Sequence, residues 1–250
     1  MLRTVFVAAV ALGLAVLMGT PAGAIVNGAP DAGQHPYVAF IYSDAESCSG
    51  SAISSTIVLT AAHCLSQRSG ERFTVQFTER YADSTPADRT GATAMSLVDF
   101  CKFTNTCKNG LKFFAEPDVA VLVLDHAVSL PRYARLPSAR LVDTLPAKQT
   151  VTLAGYGAQG VLHPRDPILI GTRLTASGII STRNYVLRDT ILAVTLQGRT
   201  NLCFGDSGSP VLVGDTILGV FSFLNGQCST AGFAYRIDQP DVLAALASIH

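Results

Sequence analysis

The sequence predicts an antiparallel all-β protein of barrel or sandwich type with one helix at its C-terminus. Short segments rich in β-branched and apolar residues recur along the chain, and Gly, Pro, Asn, Asp or Ser clusters separate most of them. No long stretch has helical periodicity before residue 239. With 250 residues, 48% of them apolar and 14% charged, the chain can build a sizeable core in one large domain or two small ones.

Seven segments are predicted strands because β-branched and apolar side chains dominate them. They are Val38–Tyr42, Thr56–Ala62, Arg72–Phe77, Asp118–Leu124, Thr150–Gly155, Thr190–Leu196 and Gly232–Ile237. Gly214 and Asp215 separate two further apolar runs, which predicts a hairpin with a type II′ or I′ turn. The stretch 128–149 is rich in proline and basic residues, so it predicts a connector between two halves of about 100 residues each.

The C-terminal segment 239–249 predicts the helix. Asp238 is a candidate cap, and Pro240 suits the first turn. One apolar stripe then follows at helical spacing, formed by Val242, Leu243, Leu246 and Ile249.

The first 24 residues have the features of a secretory signal peptide. Arg3 precedes 14 consecutive apolar or small residues, Val5 to Met18, and Ala22-Gly23-Ala24 is an A-x-A cleavage site. The apolar run is shorter than the about 20 residues of a membrane span. A buried N-terminal helix or a membrane anchor is the alternative interpretation. We therefore expect a secreted, extracellular protein without a stable membrane anchor.

Six cysteines follow this segment, and an even number in an exported chain predicts disulfides. Six cysteines allow 15 complete pairings, and their spacing does not choose among them. A zinc site is the alternative, but the sequence lacks the closely spaced Cys and His pairs that such sites use. The formal net charge is zero, so no basic surplus suggests a nucleic-acid partner.

Ser207 is the candidate nucleophile. It lies between Gly205 and Gly208, and flanking glycines let the backbone bring N–H groups close to a reacting atom. The esterase motif G-x-S-x-G is not met, because Ser209 stands at the last position. An ordinary Gly/Ser turn before a strand is the alternative interpretation.

A serine nucleophile needs a base, and the base needs a carboxylate that orients it. His63 follows a strongly apolar strand and precedes Cys64, so it is the candidate base. Asp118 opens another apolar strand, where a carboxylate without a partner is costly to bury, and His63 would be such a partner. Asp125 and Asp99 are the alternative carboxylates.

Four segments of the sequence resemble one protein family. The segments IVNG (25–28), TAAHC (60–64), DVAVLVL (118–124) and GDSGSP (205–210), in this order, closely resemble the trypsin/chymotrypsin-like serine proteases. LAGYG (153–157) and VFSF (220–223) add to the resemblance, which extends from residue 25 to about residue 249. The Ser-His-Asp triad is best characterised in this family, so the known rate effects of triad substitutions are those of the family's enzymes.

The resemblance implies a catalytic role for each candidate. His63 would be the general base and then the acid, Asp118 would hold its tautomer, and Ser207 would attack the scissile carbonyl. The backbone N–H groups of Gly205 and Ser207 would form the oxyanion hole. The implied activity is that of a serine endopeptidase (a hydrolase).

The implied fold consists of two six-stranded antiparallel β-barrels with a C-terminal α-helix, and the site lies in the cleft between the barrels. The first barrel would span about 25–130, the second about 145–237, and the helix 239–249. The resemblance also implies the pairs Cys48–Cys64 and Cys203–Cys228, which leaves Cys101 to pair with Cys107.

Four residues would bind the substrate on the side before the cut. Asn201, Leu224 and Gly232 would line the side-chain pocket, with Gly232 on the wall opposite Leu224 and not filling it. Ser222 belongs to the segment that aligns with the strand that pairs with the substrate backbone. Asn201 is neutral and would lie at the pocket base, so a buried Lys or Arg would lack a counter-charge. Leu224, at a position where the family often has Gly, should narrow the pocket mouth. We expect cleavage after small or medium apolar residues, with aromatic residues as the second possibility and control by surface loops as the alternative.

The start of the mature chain would also matter. In this family, cleavage of the chain at this point frees the α-amino group of the residue that matches Ile25. That group would pair with Asp206 and order the oxyanion hole. Ala24 precedes this cut here, where the family usually has a basic residue. Signal peptidase itself would then release Ile25, and a short remaining propeptide is the alternative.

The expected partners are protein or peptide substrates and proteinaceous inhibitors, and the expected state is a monomer. No cofactor, metal, nucleic acid or stable membrane anchor is expected. Two alternatives remain: a non-catalytic homologue that acts as a binding module, and an esterase on an α/β-hydrolase fold.

Overall fold

The computed structural model describes residues 25–44, 46–65, 72–96, 118–158, 171–181 and 190–249. In these residues the chain forms thirteen strands, and all pairs between named strands are antiparallel. Within them, no helix is long and apolar enough to cross a membrane. Residues 1–24 lie outside the described residues, and so do Asp99, Cys101 and Cys107.

The first barrel closes in the strand order β2-β3-β4-β7-β6-β5. Its strands are β2 (Val38–Tyr42), β3 (Ser47–Ala52), β4 (Ile57–Thr60), β5 (Arg72–Gln76), β6 (Arg89–Ser96) and β7 (Ala120–Leu124). Its interior is apolar, and Phe40, Leu59 and Leu122 are among its fully buried side chains. The burial of such side chains is the main force that closes the barrel.

The second barrel runs β8-β9-β10-β13-β12-β11 and returns to β8, because β8 pairs with both β9 and β11. Its strands are β8 (Thr150–Gly155), β9 (Leu174–Ser181), β10 (Ile191–Leu196), β11 (Pro210–Val213), β12 (Thr216–Leu224) and β13 (Ala231–Arg236). A two-residue strand, β1 (Ala29–Pro30), pairs with β9. The start of the described chain therefore attaches to the second barrel, although the first barrel follows it in sequence.

The two barrels confirm the predicted fold class and exclude an α/β-hydrolase fold for the described chain. Each of the seven predicted strands overlaps a strand of the structure, and Val38–Tyr42 and Thr150–Gly155 match to the residue. The predicted hairpin joins β11 to β12 through Gly214 and Asp215. Gly214 has φ +57 and Asp215 is not among the residues with positive φ, so the turn is of the II′ kind.

The C-terminal helix spans Pro240–Ala247 with proline in its first turn, as predicted. The prediction that Asp238 caps it is wrong, because the cap residue is Gln239. Asp238 is fully buried and pairs with Arg236 at 2.8 Å, and it also accepts the Val142 backbone N–H at 2.9 Å. A buried arginine binds this carboxylate more strongly than exposed helix N–H groups would.

A buried ion pair joins the barrels. Arg173, just before β9, donates to Asp31 at 2.9 Å and to the backbone carbonyls of Val38 at 3.1 Å and Phe77 at 3.0 Å. Both charged side chains are nearly inaccessible to solvent. Since a buried guanidinium needs most of its donors satisfied, this network fixes how the first barrel sits against the second and so shapes the cleft.

Candidate active site

His63 and Asp118 meet at one end of the first barrel. The short 3-10 helix Ala62–Leu65 follows β4 and carries His63, and a disulfide joins the adjacent Cys64 to Cys48 of β3. Thr60 at the end of β4 lies opposite Ala120 at the start of β7. The strand register therefore places His63 and Asp118 just beyond the same barrel end.

Two hydrogen bonds hold the pair together. His63 Nδ1 lies 2.7 Å from Asp118 Oδ2, and the His63 backbone N–H donates to Asp118 Oδ1 at 2.8 Å. The carboxylate thus fixes both the main chain and the ring of the histidine. Such contacts leave Nδ1 as the protonated nitrogen and Nε2 as the proton acceptor.

The pair also sets its own pKa values. Burial alone would raise the pKa of Asp118, but the hydrogen bonds and charge of His63, together with Ser222, lower it below 3.8. Burial alone would lower the pKa of His63, but the hydrogen bond and charge of Asp118 and the charge of Glu46 raise it above 6.5. Asp118 therefore stays ionised at neutral pH and favours the imidazolium.

Ser222, predicted to belong to the strand that pairs with the substrate backbone, makes a side-chain contact that the sequence does not predict. Its hydroxyl donates to Asp118 Oδ2, the oxygen that also binds His63 Nδ1. The sequence does not reveal this role, since nothing in a Ser-Phe-Leu segment indicates which face of the strand the hydroxyl occupies.

Ser207 lies on the loop that leads into β11. Gly205 and Gly208 on either side of it have φ +90 and φ +85, a region that favours glycine. The Ser207 carbonyl accepts the backbone N–H of Ser49 at 2.8 Å. Ser49 follows Cys48, whose disulfide partner follows His63, so the Ser207 loop is tied to the part of the first barrel that carries His63. Among the described residues, no hydrogen bond joins the Ser207 hydroxyl to His63.

Two backbone N–H groups of this loop, those of Gly205 and Ser207, differ from their neighbours in their hydrogen bonding. The neighbouring N–H groups are used within the fold: Asp206 donates to the Cys203 carbonyl, Gly208 to Phe221 and Ser209 to Asp206. For the N–H groups of Gly205 and Ser207, the described part of the chain provides no acceptor. Paired, unused donors beside a serine are what a tetrahedral oxyanion requires.

Asp206 is fully buried directly beside Ser207. Burial raises its pKa to about 7, although the backbone N–H groups of Cys203, Gly157 and Ile25 oppose the rise. The first two donate at 2.9 Å and 3.0 Å. No charged group among the described residues contributes to the pKa of Asp206.

Ile25 is also fully buried, so the predicted pair Ile25 and Asp206 lies together in the fold. Val26 exchanges two backbone hydrogen bonds with Asn201, at 2.8 Å and 3.1 Å. The start of the IVNG segment is therefore bonded to the residue expected at the pocket base.

The remaining residues predicted for the pocket are joined by strand pairing and a disulfide. Leu224 of β12 lies opposite Gly232 of β13, and Leu202 bridges to Ser229. The disulfide Cys203–Cys228 connects the two sides. The pairing of Cys101 with Cys107 falls outside the described residues.

The competing assignments can be weighed against these contacts. Asp125 accepts a hydrogen bond from Arg72 Nη1 at 2.9 Å and another from Arg72 Nη2, so it is engaged away from His63. Asp99 lies outside the described residues. Cys48, His63 and Cys64 have their sulfur and nitrogen atoms close together, but the two sulfurs form a disulfide and cannot ligate a metal as thiolates.

Comparisons with known proteins decide the family. The sequence profile of the Trypsin family matches residues 25–243. The chain belongs to the trypsin family. It is a trypsin-like serine protease by family, with protein or peptide substrates as the family implies.

Individual relatives are distant. A chymotrypsin of Phaedon cochleariae is 26% identical over 202 residues, which cover 77% of this chain and 70% of that protein. Serine protease SP24D of Anopheles gambiae is 28% identical over 204 residues, with 80% and 70% covered. Snake venom serine protease 2C of Craspedocephalus gramineus is 25% identical over 213 residues, with 82% and 78% covered.

Solved structures share the fold. Human heparin binding protein aligns with a TM-score of 0.67 at 20% identity and covers 90% of this chain and 98% of its own. An inactivated protease paralogue of the scabies mite aligns with a TM-score of 0.67 at 18% identity, with 89% and 98% covered. At this identity the likeness concerns the fold, and activity has to be argued from the site.

Proposed function

We propose that the protein is a secreted serine endopeptidase in which Ser207, His63 and Asp118 form the catalytic triad. The observation that carries the proposal is the double hydrogen bond between His63 and Asp118, at 2.7 Å and 2.8 Å, at the end of the barrel that faces the Ser207 loop. A carboxylate bonded to Nδ1 prepares Nε2 to accept a proton from a serine.

The reaction would follow from these groups. Ser207 Oγ attacks the scissile carbonyl while His63 Nε2 takes its proton, and the N–H groups of Gly205 and Ser207 bind the oxyanion. The intermediate collapses to an acyl-enzyme when His63 returns the proton to the leaving amine. Water then attacks the ester, again with His63 as base, and releases the acid and Ser207.

Substrate preference would depend on the second barrel. Asn201 lies at the pocket base without a negative charge, so a substrate Lys or Arg side chain would be buried without a partner. Leu224, which pairs with Gly232 across β12 and β13, would reduce the width of the pocket mouth. These residues support cleavage after small or medium apolar side chains.

Activation would occur when the chain is cut before Ile25. The new ammonium would lie next to Asp206, whose carboxylate is within reach of the Ile25 backbone nitrogen. Because Ala24 ends an A-x-A site, signal peptidase would release Ile25 when it removes the signal peptide during export. N-terminal sequencing of the secreted, active enzyme tests this, and a start upstream of Ile25 contradicts it.

Peptide hydrolysis by chain 25–250 tests the proposed activity. We expect cleavage of an unfolded protein substrate into peptides, and its loss in the Ser207→Ala and His63→Ala variants. A folded chain that cleaves no protein or peptide would contradict the proposal and favour a non-catalytic binding module. The presence of all three triad residues speaks against that alternative.

A further inference from the structure

Phe221 is a fully buried residue of β12 whose backbone contacts the Ser207 loop. Phe221 of β12 donates its backbone N–H to the Ser209 carbonyl at 2.8 Å and accepts the Gly208 N–H at 2.8 Å. The next residue, Ser222, donates to Asp118. Phe221 is therefore fixed between the nucleophile loop and the triad carboxylate.

The ring of Phe221 extends to Gly232, a residue predicted to line the pocket. A Cβ atom placed on Gly232 would lie 2.6 Å from Phe221 Cε2 and 2.8 Å from Cζ, so the tip of the ring rests against the Gly232 backbone. The sequence predicts that Gly232 lines the wall opposite Leu224 without filling the pocket. Phe221 uses the space that the missing side chain of Gly232 leaves.

The burial of Leu202, the neighbour of Asn201, and of Phe221 agrees with a space that the ring fills. Leu202 is 0% exposed and Phe221 is 1% exposed. A pocket deep enough for a leucine or phenylalanine side chain would expose the atoms that line it to solvent. Leu202 and Phe221 are instead inaccessible to solvent, whereas Phe204 and Phe223 are exposed.

We propose that Phe221 fills the inner part of the primary specificity pocket, so that the enzyme accepts only small residues, glycine or alanine, before the scissile bond. This inference rests on the proposed peptidase function and narrows its substrate class. A larger side chain would have to displace the Phe221 ring from the space beside the Gly232 backbone. A pocket discriminates by about 10- to 200-fold for each methylene that it cannot accommodate.

The test measures kcat/KM of chain 25–250 on peptides that differ only in the residue before the cut: Gly, Ala, Val, Leu or Phe. We expect the wild type to prefer Ala over Leu and Phe by about 100-fold. Phe221→Val should raise the ratio of Leu to Ala by at least about 10-fold. The ratio is internal to each preparation, so a smaller folded fraction does not change it.

Two further variants serve as a second probe of Phe221 and as a control. Phe221→Leu removes less volume and should shift the ratio in the same direction if Phe221→Val does not fold. Phe40→Val is the matched control, since Phe40 is also 1% exposed but lies in the first barrel, and its ratio should equal that of the wild type.

A fluorophosphonate titration of Ser207 distinguishes failure of the specificity proposal from failure of the peptidase proposal. If the wild type binds the reagent but cleaves after Leu or Phe faster than after Ala, the inference is overturned and the peptidase proposal stands. It is also overturned if Phe221 variants keep the wild-type ratio. If the folded wild type does not react at all, both proposals fail.

Discussion

Asp118 and Asp206 are two carboxylates on either side of the candidate site, and their surroundings drive their pKa values in opposite directions. Asp118 is partly buried and binds His63 and Ser222, and its pKa falls below 3.8. Asp206 is fully buried, its donors within the described chain are the backbone N–H groups of Cys203, Gly157 and Ile25, and its pKa rises to about 7. Neutral amide donors do not offset complete burial, whereas a partner that can carry positive charge offsets the partial burial of Asp118.

The difference suggests how the site is assembled. Folding alone gives Asp118 its partner, because the register of β4 and β7 delivers His63 to it. Asp206 gains a charged partner only if the Ile25 nitrogen becomes an ammonium. The first carboxylate would then serve the chemistry directly, and the second would couple the oxyanion loop to cleavage of the chain.

The largest expected effect is that of Asp118→Asn. The amide favours the wrong tautomer of His63, so kcat should fall by about 10⁴-fold, the size known for this carboxylate in chymotrypsin-like proteases. The pKa of His63 should also fall, since Asp118 is what raises it. The acidic limb of kcat/KM, with a midpoint above pH 6.5 in the wild type, should therefore move to lower pH.

The control is Asp125→Asn, which removes an exposed carboxylate bound to Arg72. It should change kcat by less than about twofold, as surface ion pairs contribute little. Equal losses in the two variants would show that Asp118 has no special part in the reaction.

The next effect concerns Asp206 and the pH dependence of stability. In chain 23–250, where Ile25 remains an amide, the folded state keeps the Asp206 proton up to about pH 7, and the unfolded state releases it near pH 3.8. The folded pKa is the higher one, so the contribution of Asp206 to stability is fully present below pH 3.8 and is lost as pH rises to 7. The loss is about 4 kcal/mol.

Urea unfolding of chains 23–250 and 25–250 between pH 5 and pH 8, both with Ser207→Ala to prevent self-cleavage, measures this. Chain 25–250 should lose far less stability in that window, because its ammonium favours the ionised Asp206. Parallel pH profiles for the two chains would mean that Ile25 and Asp206 do not form an ion pair.

The smallest effect is expected for Ser222→Ala. The variant removes one of the hydrogen bonds to Asp118 and leaves both contacts with His63, so kcat should fall by about 10-fold. Steady-state kinetics on an alanine-containing peptide measures it. If KM changes and kcat does not, Ser222 serves substrate binding and not the carboxylate.

Much of the fold is accessible from sequence because its strongest signals are local. The predicted strands are apolar segments bounded by turn residues, and the hairpin at Gly214 follows a two-residue rule. The strands that the pattern does not reveal, β3, β6 and β9, are rich in Ser, Gly, Ala and Thr. They form because neighbours on both sides supply hydrogen bonds, which no local pattern reports.

The site divides in the same way. Residues in compact motifs, His63 and Ser207 above all, can be proposed from a few letters around each. Contacts that depend on distant segments cannot: Ser222 with Asp118, Arg173 with Asp31, and the Phe221 ring against Gly232. Strand periodicity indicates that Phe221 is buried, but not that the space it fills adjoins the nucleophile loop.

The most direct test of the central claim, that Ser207 is a nucleophile activated by His63, is the site of reaction with a fluorophosphonate. Chain 25–250 would be treated with the reagent and its peptides mapped by mass spectrometry. We predict one adduct, on Ser207, and none in Ser207→Ala or His63→Ala. A folded chain that gains no adduct, or gains one on another serine, would contradict the account.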